Sequence, residues 1–281
     1  MTPATAMAVA ATVEQARAAV GALPRPVGFV PTMGALHPGH LALVAAARAE
    51  CASVVASVFV NPAQFGPGED FERYPRDYAG DRAKLERAGA SLLIAPESSA
   101  IYPPGYSTVV DVGPMGARYE GAVRPMHFRG VATVVSKLLN VVHPDVLYVG
   151  QKDAQQTAVL RKMVRDLDVP VRVQIVPTVR EGDGVALSSR NVYLTTEQRA
   201  AAPTLHAMLR AFLGRLREGA SGEVAAREAR AVLSPLAQLD YLDLVDADTF
   251  EPLPALRPPA FAIAAVRFGS TRLLDNIWVA R

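Results

Sequence analysis

Short apolar segments alternate with helical segments from residue 25 to residue 176, and this alternation is the strongest constraint on the fold. The segment 53–60 (SVVASVFV) is β-branched and almost wholly apolar, which is typical of a strand buried on both faces of a sheet. Strands are predicted over 25–30, 53–60, 91–95, 146–149 and 171–176. Helices are predicted over 12–23, 41–49, 77–88, 131–142 and 154–167. A chain that alternates in this way forms a parallel sheet with helices on both faces.

The pattern changes after residue 178. Two helices are predicted over 195–217 and 223–233, and three short strands over 239–245, 260–266 and 271–274. We therefore predict an α/β fold with two domains. Residues 1–178 would form a Rossmann-like, doubly wound parallel sheet, and residues 179–281 a smaller α+β domain.

Composition and charge exclude several classes of protein. The 281 residues carry a net charge of +2 without a basic block, so no nucleic-acid partner is expected. No apolar run approaches the roughly 18 residues that span a membrane, so no membrane partner is expected either. Residues 1–11 lack the positive charge that opens a signal peptide, and the one cysteine excludes an intramolecular disulfide. A cytoplasmic location is the expectation.

The segment 30–40 (VPTMGALHPGH) joins a buried strand to an apolar, alanine-rich helix. Such a turn directs backbone N–H groups and the positive end of a helix dipole to the space above the sheet, where an anion is stabilised. His37 and His40 are three residues apart, so both can face the same side of the helix. We predict that this turn binds the phosphates of a nucleotide. Alternatively, Gly34 and Gly39 could serve only a tight loop, with the histidines at the surface or forming half of a metal site.

Two further polar segments follow predicted strands. Residues 61–66 (NPAQFG) come after the second strand and residues 150–153 (GQKD) after the fourth, so both are expected at the carboxyl edge of the sheet, where ligands bind. Lys152 is suited to phosphate as a point charge, although a surface ion pair with Asp153 is the alternative. No Gly-x-x-x-x-Gly-Lys-Ser/Thr segment is present, so nucleotide binding would depend on the histidine turn.

Other side chains suit the same chemistry. Arg190 could bind phosphate through two parallel N–H bonds, although the neighbouring Ser188 and Ser189 could simply cap a turn. The amides of Gln64 and Gln156 suit a small substrate with hydroxyl and carboxylate groups, although either could be a surface residue. No third ligand accompanies the two histidines in a recognisable pattern, so no metal-binding residue is predicted.

Taken together, these motifs resemble one family, the pantothenate synthetases (pantoate–β-alanine ligases), within the His-x-Gly-His nucleotidylyltransferase group. The resemblance extends over nearly the whole chain. It rests on the segments PTMGALHPGH, FVNPAQFG, YPR, HFRG, GQKDAQQ, PTVREGDGVALSSRN and STRLLDN.

The resemblance implies a two-step reaction. Pantoate attacks the α-phosphorus of ATP to give pantoyl adenylate and pyrophosphate, with Mg²⁺ assisting. The amine of β-alanine then attacks the adenylate to give pantothenate and AMP. Positioning and electrostatics would carry catalysis, because no covalent enzyme intermediate forms. The resemblance also implies a homodimer formed through the larger domain, and a small domain that acts as a lid.

The resemblance also assigns residue roles. The catalytic residues would be His37, His40, Lys152 and Arg190, with His37 as the proton donor when one is needed. ATP binding is assigned to Met33, Gly39, His40, Gly150, Lys152, Asp153, Val179, Leu187, Ser188, Ser189 and Arg190. Pantoate binding is assigned to Thr32, Met33, Gln64 and Gln156, with Asn61, Tyr74 and His127 near the site.

Some positions depart from the family pattern. Leu187 stands where methionine is common, and an N-terminal extension precedes the first helix. Gly80 precedes Asp81 where a pair of acidic residues often occurs, which puts a metal or dimer role there in doubt.

Two other functions compete with a ligase. Another His-x-Gly-His adenylyl or cytidylyl transferase would consume a nucleotide without needing pantoate. A protein on the same fold could instead bind a nucleotide without catalysis. We also predict that the loop 179–190 closes on bound ATP, with Gly182 and Gly184 as hinges.

Overall fold

The computed structural model describes residues 7–280; residues 1–6 of the N-terminal extension and Arg281 lie outside the described residues. The strands are β1 Ala8–Ala10, β2 Val27–Thr32, β3 Ser53–Val58, β4 Leu92–Ile94, β5 Val146–Gly150, β6 Arg172–Val176, β7 Ala237–Asp246, β8 Ala260–Phe268 and β9 Thr271–Val279. The helices are α1 Val13–Gly21, α2 Pro38–Glu50, α3 Tyr78–Ala88, α4 Ser98–Ile101, α5 Glu120–Val123, α6 His127–Val142, α7 Ala154–Asp166, α8 Thr196–Ala201, α9 Pro203–Arg217 and α10 Gly222–Ala229. Within residues 7–280, none of the helices combines the length and the apolar character that crossing a membrane requires.

The first six strands form one parallel sheet in the order β1-β4-β3-β2-β5-β6. From β2 the chain proceeds outward through β3 to β4, and it then crosses to β5 on the other side of β2. This reversal creates a topological switch point between β2 and β5, the place where doubly wound sheets bind ligands at their carboxyl edge. The predicted doubly wound parallel sheet is confirmed, and the segment 33–40 leaves β2 at its switch point.

Helices cover this sheet and bury its central strands. Helix α2 packs against β2, β3 and β5, whereas α1 packs against β1, β4 and α6. Five of the six β3 residues, the three apolar residues 54–56 and the flanking Ser53 and Ser57, are buried, as expected for a strand covered on both faces. The core contains Val30, Val54, Leu93 and Tyr148.

The last three strands form a separate antiparallel sheet in the order β7-β8-β9. Helix α9 packs against β8, β9 and α10, and α10 also packs against β7. Their shared core includes Leu209, Phe212, Ala262 and Val266. The predicted α+β structure of this smaller part of the chain is therefore confirmed.

The internal contacts of the chain divide it into two units. The first comprises the residues up to Gly150 together with Val159–Val176, and the second comprises Gln151–Ala158 together with the residues from Pro177 onward. The start of α7 therefore groups with the second unit. The chain thus changes unit three times, and the domain boundary after residue 178 stays a prediction.

Some observed elements differ from the prediction. The helix predicted over 195–217 is two helices, because Pro203 lacks the N–H that would continue α8. The strand predicted over 271–274 continues to Val279, because tertiary partners hold the polar Asp275 and Asn276 within β9. The short strand β1 was not predicted, since three residues give no readable period.

Candidate active site

The histidine turn, residues 33–40, begins α2 with its own histidine caps. His37 is the N-cap residue, and its Nδ1 accepts the N–H of Gly39 at 3.1 Å. The Nδ1 of His40 accepts the N–H of His37 at 3.3 Å, and the two rings lie 4.1 Å apart. Because each Nδ1 accepts a backbone proton, each neutral ring carries its own proton on Nε2. The turn therefore offers two imidazole N–H donors at the positive end of a helix.

Asp81 of α3 fixes the backbone of this turn. Its carboxylate accepts the N–H of Ala35 at 2.8 Å and that of Leu36 at 2.7 Å, and its side chain is 1 % exposed. Lys84 donates to the carbonyl of Leu36 at 2.9 Å. Gly34 and Ala35 both have positive φ, at 85° and 50°, so the turn needs this external support. Asp81 thus supports the histidine turn, a structural role that the sequence interpretation did not assign.

Thr32, at the end of β2, uses its side chain within the protein. The hydroxyl donates to the carbonyl of Ser57 at 2.6 Å and accepts the N–H of Gly34 at 3.2 Å. The hydroxyl thus ties the start of the histidine turn to β3.

Asn61 and Gln64 lie together after β3, where a 3₁₀ helix spans Pro62–Gln64. The Nδ2 of Asn61 donates to Oε1 of Gln64 at 2.9 Å, and the Nε2 of Gln64 donates to the sulfur of Met33 at 3.0 Å. Both amides are buried, with relative exposures of 1 % for Asn61 and 7 % for Gln64. Two of the residues predicted for pantoate, Met33 and Gln64, are therefore in direct contact.

Gly130 of α6 allows the 3₁₀ helix to lie against α6. A Cβ at this position would come within 2.2 Å of the carbonyl oxygen of Ala63 and 2.6 Å of the Cα of Gln64. The HFRG segment is thereby explained, because only glycine permits this approach of two backbones.

His127 and Arg124 hold the main chain of Gln64. The carbonyl oxygen of Gln64 lies 3.0 Å from Nδ1 of His127 and accepts from Arg124 at 3.2 Å. Arg124 also pairs with Glu69 through its Nε at 2.9 Å. Burial raises the pKa of the Glu69 carboxyl, but the hydrogen bond and the positive charge of Arg124, together with a backbone hydrogen bond from Gly66, outweigh burial and lower that pKa. His127 thus supports the Gln64 backbone.

Tyr74 is a packing residue of the loop after the 3₁₀ helix. It is 5 % exposed, and its ring packs edge-on against Phe65 with centroids 6.0 Å apart. Arg76 donates to the carbonyls of Phe71, Glu72 and Tyr74, which ties the YPR segment to its own loop.

In the second unit, β9 holds the loop that carries Lys152. The Nδ2 of Asn276 donates to the carbonyls of Gln151 and Lys152, both at 2.9 Å, and Gln151 returns a bond to its Oδ1 at 3.1 Å. Lys152 lies 3.2 Å from the Oδ1 of Asp153, the residue that directly precedes α7. The surface ion pair considered from sequence is therefore present. Gln156 lies half-buried in the first turn of α7.

Gly150 ends β5 beside open space, because a Cβ there would meet no other protein atom within 4 Å. A ligand group such as a phosphate could therefore approach the backbone of this residue closely.

Residues 179–187 of the segment 179–190 fold as a tight hairpin. The N–H of Leu187 bonds the carbonyl of Val179 at 3.0 Å, and Arg180 and Ala186 form a bridge. Arg199 of α8 pairs with Glu181 at 2.8 Å and with Asp183 at 2.7 Å. These bonds bracket Gly182 and Gly184, the two glycines predicted as hinges.

Arg180 anchors the hairpin to Asp275. Two guanidinium nitrogens contact the Asp275 carboxylate at 2.7 and 2.8 Å, and the Nδ1 of His206 lies 3.0 Å from it. Burial raises the pKa of Asp275, but the hydrogen bonds and the charges of His206 and Arg180 together outweigh burial and hold that pKa below its usual value. The STRLLDN segment thus carries two anchors, Asp275 and Asn276, that the sequence interpretation left without a role.

The hairpin leads into the serines and Arg190. The hydroxyl of Ser188 accepts the N–H of Arg190 at 3.3 Å and caps a 3₁₀ helix over Ser189–Tyr193. The capping role considered for Ser188 is therefore present. Leu187, Ser189 and Arg190 are half-buried.

The comparison with known proteins decides the family. The sequence profile of the pantoate-beta-alanine ligase family matches residues 5–278. This chain belongs to the pantoate–β-alanine ligase family. The pantothenate synthetase of Chloroflexus aggregans is 54 % identical over 274 residues, which cover 96 % of this chain and 99 % of that protein.

Solved structures of the family share the fold. A crystal structure of the Thermus thermophilus enzyme superposes with a TM-score of 0.93 at 52 % identity, covering 98 % of this chain and 100 % of that one. The Francisella tularensis pantoate-beta-alanine ligase was crystallised with beta-gamma ATP and beta-alanine. Its TM-score is 0.81 at 32 % identity, covering 97 % of this chain and 98 % of that one.

Proposed function

We propose that this chain joins pantoate and β-alanine to form pantothenate, a step in the synthesis of the coenzyme A precursor, with ATP cleaved to AMP and pyrophosphate. A pantoate carboxylate oxygen forms a bond to the α-phosphorus of ATP, and the bond to pyrophosphate breaks. The amine of β-alanine then bonds to the acyl carbon of pantoyl adenylate, loses a proton and displaces AMP. The family membership of nearly the whole chain supports this activity. The observation that carries it is the paired imidazole donors of His37 and His40 at the start of α2.

Each imidazole has a role in the first step. In our proposal the Nε2–H groups of His37 and His40 donate to phosphate oxygens and stabilise the charge that builds on departing pyrophosphate. His37 supplies the proton if that step needs one. Gly39 belongs to the first turn of α2, where the helix dipole adds to the same stabilisation, and its lack of a side chain would let the nucleotide approach the backbone closely. Met33 would contact the nucleotide as well as pantoate.

Further residues are proposed to bind ATP because their side chains carry positive charge or hydrogen-bonding groups. Lys152 and Arg190 supply positive charge for phosphates, and Ser188 and Ser189 supply hydroxyls. Gly150 permits close approach of the nucleotide, consistent with the open space beside it. The remaining members of the proposed ATP-binding set are Asp153, Val179 and Leu187.

Pantoate would be held by amide groups. Gln64 and Gln156 supply hydrogen bonds to its hydroxyl and carboxylate oxygens, and Thr32 and Met33 shape the surroundings. Gln64 is supported by Asn61 and His127 through the bonds described above. Such a polar set fixes the orientation of a small substrate, which a displacement reaction requires.

Mg²⁺ is proposed to accompany ATP. Mg²⁺ prefers about six oxygen ligands and is commonly held by one or two carboxylates together with substrate phosphates. Within residues 7–280 no three His, Cys, Asp or Glu side chains are grouped to hold a metal, and both Asp81 oxygens already accept N–H groups. The protein side chains therefore fit a metal carried by the nucleotide, and Asp153 is the one carboxylate among the residues proposed for ATP. When bound, the ion would neutralise phosphate charge.

The resemblance supports two further proposals about the whole protein. We propose that it works as a homodimer and that it is located in the cytoplasm. Sedimentation equilibrium tests the first, since it gives the mass of the assembly directly.

Isotope exchange between ATP and pyrophosphate tests the proposed reaction. Labelled pyrophosphate is supplied with ATP and pantoate, and β-alanine is left out. We expect exchange that depends on pantoate, because the adenylate step is then reversible and cannot proceed further. Exchange without pantoate would mean a different acceptor, as in another nucleotidylyl transferase. No exchange from folded protein that binds ATP would contradict an adenylate mechanism.

A further inference from the structure

We propose that Tyr102 and Asn61 are positioning residues that fix the Gln64 side chain as a hydrogen-bond donor toward pantoate. The proposal rests on the proposed function, because it concerns the substrate that Gln64 binds. Tyr102 lies at the C-cap of α4, 38 residues from Gln64 in the sequence, so no motif connects the two.

The orientation of the Asn61 amide is set by two backbone groups. Its Nδ2 donates to the carbonyl oxygen of Gly130 at 3.1 Å, and its Oδ1 accepts the N–H of Ala63 at 3.3 Å. A carbonyl can only accept and a backbone N–H can only donate. Rotating the Asn61 amide by 180° would therefore break both bonds, and at 1 % exposure water would not replace them.

This fixed amide determines the orientation of Gln64. The second Nδ2 proton of Asn61 is donated at 2.9 Å, so the Gln64 atom that receives it is the oxygen Oε1. The Nε2 of Gln64 is thereby turned to Met33, whose sulfur it reaches at 3.0 Å. A thioether sulfur is a weak acceptor. A substrate oxygen would therefore be the stronger partner for the Nε2 protons.

Tyr102 completes the network at its other end. Its hydroxyl donates to Oδ1 of Asn61 at 2.7 Å, which is shorter than the bond from Ala63 to the same oxygen. The Tyr102 ring is held against Phe59 and Tyr106, with centroid distances of 6.3 and 5.0 Å. Burial raises the pKa of Tyr102, so its hydroxyl keeps its proton over the pH range of an assay.

The arrangement has a consequence for specificity. Gln64 can present N–H to a ligand while its oxygen stays bonded to Asn61. It should therefore select a ligand with an oxygen acceptor at this position, which a carboxylate or hydroxyl of pantoate provides. A site built with one polarity rejects a group of the other polarity, because a buried polar atom is left without a partner.

The first test compares Tyr102→Phe with Tyr106→Phe. The two changes remove the same atom from neighbouring rings, but only Tyr102 bonds Asn61. We expect Tyr102→Phe to raise the KM for pantoate about tenfold, as loss of one buried hydrogen bond would, and to leave the KM for ATP unchanged. Tyr106→Phe should change neither constant. The proposal would be overturned by the same KM for pantoate in the two variants. It would also be overturned if Tyr102→Phe raised the KM for ATP as much as the KM for pantoate.

The second test needs no turnover. The side-chain NH₂ signals of Asn61 and Gln64 are assigned in ¹⁵N-labelled protein, and their shifts are compared among the wild type and both tyrosine variants. We expect Tyr102→Phe to shift both pairs of signals and Tyr106→Phe to shift neither. Unmoved Gln64 signals in Tyr102→Phe would refute the relay. If the wild type lacks pantoate-dependent exchange, the proposed function fails, and this experiment still decides whether the relay exists.

The third test changes the polarity of Gln64 itself. In Gln64→Glu an ionised carboxylate can accept from Asn61 but has no proton to donate to pantoate, whereas a protonated carboxyl has one. We therefore expect the pantoate KM of this variant to fall as the pH is lowered, relative to the wild type at each pH. A constant ratio of the two KM values would contradict the assigned polarity.

Discussion

The carboxylate of Asp81 has both oxygens on backbone N–H groups of the histidine turn. In Asp81→Asn one oxygen becomes an NH₂ that faces an N–H donor, so a bond is lost and a repulsive contact is created. We expect the free energy of unfolding to fall by about 2 kcal/mol. We expect kcat/KM for ATP to fall about tenfold or more, because the imidazoles of His37 and His40 lose their fixed position. Urea unfolding and steady-state kinetics measure these two effects.

Asp77 offers a matched control on the same helix. It is 62 % exposed and caps α3 by accepting the N–H of Gly80 at 3.0 Å. Asparagine caps helices about as well as aspartate, so Asp77→Asn should change stability by less than about 0.5 kcal/mol. If both variants behave alike, Asp81 has no particular part in supporting the turn.

His40 combines a structural role with a proposed catalytic role, and separate measurements on one variant test each of them. In His40→Ala the N–H of His37 loses its acceptor, which should cost about 1 kcal/mol of stability. Loss of the Nε2–H donor should lower the rate of pantoate-dependent exchange about 100-fold or more. His143→Asn is the control, since His143 is an exposed C-cap with positive φ, which asparagine tolerates. Nearly unchanged exchange in folded His40→Ala would show that the proposed site is wrong.

At the scale of elements, the contact between α6 and the 3₁₀ helix depends on Gly130. In Gly130→Ala the new methyl would overlap the Ala63 carbonyl, so the 3₁₀ helix must move away from α6 and displace Gln64. We expect the free energy of unfolding to fall by roughly 2–3 kcal/mol, and we expect the KM for pantoate to be higher in this variant than in the wild type. Thermal unfolding and pantoate titrations measure the change.

Gly214 of α9 is the contrasting glycine. A Cβ there would meet nothing within 4 Å, and the position is helical. Gly214→Ala should therefore stabilise the protein by up to about 1 kcal/mol. Destabilisation by Gly214→Ala comparable with that of Gly130→Ala would mean that glycine replacement itself, and not the contact with Ala63, causes the loss.

The elements that were predicted correctly are those whose own residues determine them. Strand β3 has a continuous apolar run, and α1 starts at Thr12, whose side chain accepts the N–H of Gln15 as the capping pattern predicts. The extension of β9 was not predicted, because Asp275 and Asn276 find their partners in Arg180 and Gln151. Such partners are distant in sequence and leave no local period.

The same distinction applies to the candidate site. The histidine turn was recognisable because its strand, glycines and helix are contiguous. The supporting residues are distant in sequence from the groups that they support. Asp81 of α3 bonds the histidine turn, and Tyr102, at the end of α4, bonds Asn61. A single sequence gives no measure of such distances. The roles of the supporting residues therefore required coordinates.

At the scale of the whole molecule, the fluorescence of the single tryptophan can follow unfolding of the second unit. This residue, Trp278, lies on β9, the strand that also carries Asp275. The folded-state pKa of Asp275 is below its unfolded value of about 3.9. The charged carboxylate therefore contributes stability above that pH, and the contribution is lost as the pH falls through the lower, folded value. We expect the urea midpoint followed by Trp278 fluorescence to change little through this group from pH 7 to about pH 5 and to decrease as the pH falls from about 5 to about 3.

Asp275→Asn separates this group from the other carboxylates. Its neutral side chain leaves Arg180 without a charged partner, so the fluorescence midpoint should be lower than the wild type's at pH 7. It has no charge to lose, so its midpoint should fall less on acidification. Asp248→Asn, an exposed change on the β7–β8 connection, should keep the full pH dependence of the wild type. An equal decrease in Asp275→Asn and Asp248→Asn would mean that acid destabilises the second unit through other groups.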